Sequence, residues 1–243
     1  LDGDLQLTNA QSIFDANSTL DIDLSIRGDF TNNGTYNHYN NTTTFNAGPL
    51  NNGGAQIITG TTATDFYDLN VNPLTSLTLN SNDITVNNDL TLICQNYRVN
   101  VNGDLTNNAN YTDTQFGIIL NGTVLQNISG TGTFGRLELD NSSGARTSSD
   151  ITLQRDLVLT QGKFDIKQYM LNLSQNSNIG GAPFSSSKMI TTDGVYSNTG
   201  IRKYFGPYAG PPVSFTFPIG TVNKYTPAVL TMIANGSVGF VRI

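Results

Sequence analysis

The chain has 243 residues, a formal net charge of −6 and only 12% charged residues. That length suits one large all-β domain or two smaller domains around a continuous core. The 12 basic residues are scattered along an acidic chain, which argues against nucleic acid and against an anionic membrane surface, since both require clustered Lys and Arg.

Glu138 is the only glutamate, and Asn, Thr, Ser and Gly fill the polar positions where helical proteins carry Glu, Lys and Ala. Long helices are therefore not expected. No stretch approaches the roughly 18 apolar residues of a membrane span. The chain starts on Leu1 without a basic and apolar leader and stops on the strand-like "SVGFVRI", so a processed chain or a segment of a longer protein is expected.

In chain order, the first strong pattern is "LDIDLSI" (residues 20–26), whose apolar and polar residues alternate. Alternation of this kind marks strands with one buried face. Next come "GDFTNNGTY" (28–36), "QIITG" (56–60), "FYDLNVN" (66–72) and "NDITVNNDLTL" (82–92). The same phrases then return in the same order as "GDLTNNANY" (103–111), "QNISG" (126–130), "FGRLELD" (134–140) and "SDITLQRDLVL" (149–159).

The offset between copies shrinks along the chain, as surface turns permit and packed strands do not. Two related copies are read, about 28–96 and 97–173. Turn clusters such as "TNNGTYNHYNN", "PLNNGG", "SGTGT" and "DNSSGARTSSD" separate the strands; Gly and Asn tolerate positive φ, and Asn and Asp side chains bond nearby backbone.

Short strands with regular turns fit a Greek-key sandwich or a parallel β-helix. An offset of about 70 residues divides into three or four coils of a solenoid, whereas a sandwich usually needs about 100. Frequent Asn suits stacked amide ladders, and Trp is absent. The expected fold is all-β: a parallel β-helix (solenoid) over residues 1–189, then a small β cap or sandwich-like segment over 190–243.

That last segment holds most of the prolines, with strand candidates "IRKYF", "VSFTFPIG", "YTPAVLTMI" and "VGFVRI". A cap is the natural reading, because an open solenoid end offers unpaired edges to other chains.

Candidate chemistry is sparse. Asp21 and Asp23 in "LDIDLS" would lie on one strand face, about 7 Å apart, a separation that suits a glycosidase pair; a solvated strand face is the plainer reading. Asp29, Asp89, Asp104 and Asp156 recur at equivalent positions, which points to turns or ladders. Arg155 with Asp156, and Lys163, Asp165 and Lys167, are the nearest approach to a lyase pattern, without a carboxylate cage for calcium.

His38 has no His or Cys companion at ligand spacing. Cys94, in "LTLICQN", reads as a small buried hydrophobe. Thr-rich "NTTTF" and "TGTTATD" invite an ice-binding reading, but "TGTTATD" aligns with "SGTGTFG" and the threonine register is lost. No metal or cofactor is called for. Tyr36, Tyr39 and Tyr111 fall in turn-rich segments and are the candidates for ligand-facing residues.

Rungs of the form "[IV]-x-[VL]-x-x-D-[LF]", followed by "G-x-R-K-[YF]…F-x-F-P-[IV]-G…Y-x-P", resemble large cell-surface and secreted proteins of Bacteroidota. The matching residues are Gly200, Arg202, Lys203, Tyr204, Phe215, Phe217, Pro218, Ile219, Gly220, Tyr225 and Pro227. The resemblance implies an extracellular or outer-surface location, export by the type IX secretion machinery, and adhesive roles such as those in gliding motility. Surface glycans or other cell-surface proteins are the partners it implies.

The resulting expectation is a non-enzymatic structural or adhesive segment of a large secreted or surface-anchored bacterial protein. The alternative is a carbohydrate-active β-helix, a lyase or hydrolase, or a carbohydrate-binding module.

Overall fold

A computed structural model describes residues 1–47, 55–72, 76–79, 83–92, 99–113, 117–193, 198–234 and 236–243, the side chains of residues 76 and 110–113 excepted. The chain winds as a parallel β-helix with three faces. The first face stacks nine strands, from Leu5–Leu7 through Phe30–Asn32, Ala55–Gly60 and Ser76–Leu79 to Ile179–Gly180. Every neighbour on it is parallel and comes from the next coil.

Alternation sends the apolar residues inward and the register stacks them. One column on the first face runs Ile58, Leu79, Val101, Leu120, Leu139 and Leu159, all buried. A second begins at Gln56 and continues through Leu77, Val99, Ile118, Leu137 and Leu157. Each side chain meets its counterpart one coil away, so the apolar core extends with every rung.

The second face carries residues 64–66 and 84–86 and then Leu105–Asn107, Gln126–Ser129, Ala145–Thr147, Phe164–Asp165, Ile190–Thr191 and Ile219–Thr221. The third face begins with Leu24–Ile26, Thr42–Phe45, residues 68–71 and 89–92, and Asn110–Asp113. It resumes with Thr133–Phe134, Ile151–Leu153, Met170–Leu173 and Gly200–Phe205.

The two copies are not superimposed rungs on one face. Phe30–Asn32 of "GDFTNNGTY" lies on the first face, and its counterpart Leu105–Asn107 lies on the second. "QIITG" and "QNISG" are likewise on the first and second faces. Residues 84–86 of "ITVNNDLTL" lie on the second and Ile151–Leu153 on the third. Each unit therefore spans three coils and one further face, so equivalent surfaces point in different directions.

Two sequence expectations are corrected. "LDIDLSI" is a strand only over Leu24–Ile26; Asp21 adopts φ 43° in the preceding turn, so Asp21 and Asp23 do not share a strand face. Parallel pairing also continues past residue 190: Ile190–Thr191 follows Phe164–Asp165, and Gly200–Phe205 follows Met170–Leu173.

Antiparallel structure begins where Gly200–Phe205 meets Gly239–Arg242. The hairpin strands Val213–Phe217 and Ala228–Met232 pair with each other. Phe217 is fully buried, and Phe215, Ile219, Leu230 and Val241 pack against the solenoid core.

Candidate functional site

The recurrent aspartates sit at the corners, immediately before a strand. Each carboxylate accepts the backbone N–H of the corresponding residue one coil on: Asp4 from Asp29 (2.9 Å), Asp23 from Thr42 (2.8 Å), Asp83 from Asp104 (3.1 Å), Asp104 from Asn127 (2.7 Å), Asp150 from Met170 (2.9 Å) and Asp156 from Asn178 (2.8 Å). Asp21 accepts from Asn40 in the same way (3.1 Å). These carboxylates satisfy corner N–H groups that lack a ladder partner. The carboxylates singled out as a glycosidase pair are thus coil-to-coil ties.

Inside the corners the polar work falls to amides. Gln126 is buried; its Nε2 donates to Val101 O (2.8 Å) and Gly103 O (2.7 Å), while its Oε1 accepts from Gly122 N (2.9 Å) and Asn141 Nδ2 (3.0 Å). Gln56 repeats this with Ile26 O, Gly28 O and Ala47 N. Asn32 and Asn107 are also buried and cap the N–H of residues 34 and 109. Gly60 and Gly130 have positive φ, and a Cβ on either would strike the carbonyl oxygen of Asn32 or Asn107. The conserved order of the two copies is the order of these corner devices.

The three tyrosines do not form one surface. Tyr36 is only 8% exposed, on the strand Thr35–Asn37, with its ring 5.5–5.8 Å from Phe30, Phe14 and Phe66. Its hydroxyl meets Thr43 and Asn41, and burial pushes its pKa up. It is a core residue, because alternation along "TYN" points it inward, and the ligand-facing reading fails for it.

Tyr39 is exposed at φ 50° and donates to Asp15 Oδ2 (3.1 Å). Asp15 also accepts from Asn17 N and Asn37 Nδ2, and these bonds hold its carboxyl below the usual range. Tyr111 pairs in register with Leu90; its side chain, like Cys94 and Asn82, lies outside the described residues. His38 bonds the carbonyl of Tyr39 (2.6 Å).

The charged residues of the lyase-like pattern are occupied as well. Asp165 bridges Lys167 (3.0 Å) and Arg146 (3.5 Å), and Lys163 donates to Val222 O. Threonines do not form an unbroken column here: Thr44, Asn70 and Thr91 share an outward column on the third face, and Thr133 of "SGTGTFG" pairs with Thr152. The adjacent column holds Thr42, Asp68 and Asp89, so each column mixes hydroxyl with amide or carboxylate groups.

The motif behind the family resemblance assembles at the cap. Lys203 is 2% exposed, and its Nζ donates to Ser174 O, Gln175 O (both 2.7 Å) and Tyr204 O (2.9 Å). The ammonium also stands 5.1 and 5.6 Å from the Phe205 and Phe215 ring centres. Burial pushes its pKa down to about 8, opposed by the charge of Asp156.

Arg202 lies over Phe240 (5.2 Å), Pro218 O accepts from Ile190 N (2.8 Å), and Gly220 pairs with Tyr225 where a Cβ would meet Lys224 O. Gly200, at φ 112°, packs against the carbonyl of Ile243. Pro227 is exposed just before the strand Ala228–Met232. The motif residues form a closure, not a cleft.

Gln56, Gln126 and Asn141 are structural centres that were not among the residues singled out from the sequence. A signal existed: in "QIITG" and "QNISG" the glutamine shares the inward phase of the isoleucine two positions on. No family model, curated protein or solved structure matches the chain.

Proposed function

We propose that this chain is a non-enzymatic structural and adhesive segment of a large bacterial protein, secreted or anchored at the outer cell surface, where it acts as a stiff stalk with polar binding faces. The observation that carries the reading is the use made of its carboxylates: Asp23, Asp83, Asp104, Asp150 and Asp156 are each committed to an N–H of the next coil. A solenoid held together this way lengthens by adding rungs without redesign. Export through the type IX machinery accords with the cap motif's resemblance to exported Bacteroidota proteins.

The test is attachment. Beads coated with the purified chain are expected to adhere to a glycan- or protein-coated surface more than beads coated with an unrelated β-helix, and antibodies to it are expected to label intact producing cells. Absence of both adhesion and surface labelling would sink the reading. Depolymerisation of a polysaccharide by the purified chain would replace it with the carbohydrate-active alternative.

A further inference from the structure

Two grooves lie in line on one edge of the solenoid, the corner between its first and second faces. The first, of about 500 Å3, is bordered by Asp83, Asn102, Asp104, Asn121 and Asn127. The second, of about 520 Å3, is bordered by Ser142, Thr160, Gln161, Ser185 and Lys188. Asp83 belongs to the coil of residues 84–86, and Lys188 precedes Ile190–Thr191 five rungs later on the same face. At about 4.8 Å per rung the edge runs about 24 Å parallel to the axis.

The relief of this edge comes from differences in corner length. Between the grooves stands the turn 121–125, with Val124 67% and Leu125 38% exposed. It is held from the next coil by Asn141 Nδ2 on Val124 O (2.7 Å) and Ser143 Oγ on Thr123 O (2.9 Å). Beyond it the corner narrows at Gly162, where a Cβ would strike Asn141 O, so the floor of the second groove stays clear. The far wall is the loop 181–189, braced by reciprocal Ser185–Lys188 backbone bonds (3.1 and 3.0 Å) and by Phe184 against the core. Ridge, floor and wall are therefore formed before any ligand arrives.

The lining is rich in amide, hydroxyl and carboxylate groups, with apolar contact supplied by Val124, Leu125 and Phe184. Asn121 borders the first groove with its Nδ2 donating to Asn100 Oδ1 (3.3 Å). Closely spaced hydrogen-bonding groups beside small apolar surfaces suit a sugar, which offers hydroxyls at its rim and C–H on its ring faces. An extended peptide would seek a free strand edge, whereas strands along this corner pair with the coils on both sides. Asp83 and Asp104 in one groove, on a chain of net charge −6, disfavour a polyanion.

We propose that this edge binds a neutral linear oligosaccharide laid along the solenoid axis, spanning both grooves across the Val124 ridge. The inference rests on the adhesive reading and supplies its ligand class and location.

The experiment is binding of the full chain to arrayed neutral linear oligosaccharides of increasing length, with uronic-acid oligomers alongside. Binding is expected to strengthen with length and to weaken about tenfold or more in Val124→Asp, on the lining of the first groove, and in Ser187→Arg, on the lining of the second, both at exposed positions. Asn176→Arg, exposed on a different corner, is expected to bind as the parent does. Circular dichroism on each variant separates lost binding from lost fold.

No binding to any neutral oligosaccharide, preference for the uronates, or binding indifferent to Val124→Asp and Ser187→Arg would each overturn the proposal. If beads bearing the chain still adhere under those outcomes, the adhesive reading stands and only this edge is wrong.

Discussion

The solenoid body and its C-terminal cap bury polar groups by opposite means. In the body, beside buried hydroxyls such as Thr43 and Ser177 and the carboxylate Glu138, the repeated buried polar groups are neutral amides: Gln56 and Gln126 make matching bonds in two places, as do Asn32 and Asn107. In the cap the central polar group is an ammonium used once, Lys203, ringed by three carbonyls and two aromatic faces. A neutral amide can be copied along an axis because it has low desolvation cost and equal numbers of donors and acceptors. A buried cation accepts nothing and suits a place where the ladder ends and carbonyls are left over. The repeated part is thus built from self-complementary groups and the closure from a mismatch.

The sharpest way to break the body is at Gln126. Gln126→Leu strips Gly103 O and Gly122 N of their partner and takes one bond each from Val101 O, which keeps Asn121 N, and Asn141 Nδ2, which keeps Val124 O; about 3–5 kcal/mol of stability should be lost. Urea unfolding monitored by far-ultraviolet circular dichroism measures it. Because solenoid stability is transmitted between neighbouring rungs, hydrogen exchange should accelerate on both sides of the corner. A loss below about 1 kcal/mol would mean that the corner can rehydrate, and that amide repetition is incidental to the body.

Lys203→Met tests the other side of the comparison. Three carbonyls each lose the Lys203 bond, Ser174 O keeping Ser177 N, so the cap should loosen by about 2–4 kcal/mol, visible as faster proteolysis and exchange across residues 200–243 with the body unchanged. The pH dependence has a definite sign. Below pH about 8 Lys203 is charged in both folded and unfolded chains; between about 8 and its ordinary 10.5 only the unfolded chain holds the proton. Stability contributed at this site therefore rises with pH across that window, and the rise should be absent in Lys203→Met. A cap that opens as pH passes 8 would contradict the assignment.

How much of this was legible before the fold is a matter of period. Alternation reports inside against outside, so the strands, the inward columns of Ile, Val and Leu, and the order of the two copies could be read directly. Alternation says nothing about which face of a three-faced coil a strand occupies. The one-face advance between copies was invisible for that reason, and so was the meeting of residues 121–125 with 141–143 on one edge.

Polarity also misled. The Asn- and Gly-rich neighbours of Tyr36 suggest a turn, although its place in "TYN" puts it in phase with the core. A buried, bonded amide such as Gln126 looks the same in sequence as a solvated one. The aspartates were read more nearly correctly, since recurrence before an apolar residue is what a corner tie requires.

The smallest expected effect lies at the first turns, where a one-off device sits outside the core. Tyr39 holds φ 50° and donates to Asp15, yet both are open to water, so solvent competes for every bond they make. Asp15 has its pKa lowered first by the N–H of Asn17, then by Asn37 and Tyr39. Its contribution is therefore present above the ordinary aspartate range and is lost as pH falls through its folded value. Tyr39→Phe should barely change the melting temperature at neutral pH, and the small difference from the parent should vanish in acid once Asp15 is protonated. Differential scanning calorimetry at the two pH values decides it. A large acid-sensitive loss in Tyr39→Phe would place this turn beside the Gln corners as a structural centre, and would show that the division between copied amides in the body and single-use contacts elsewhere does not track stability.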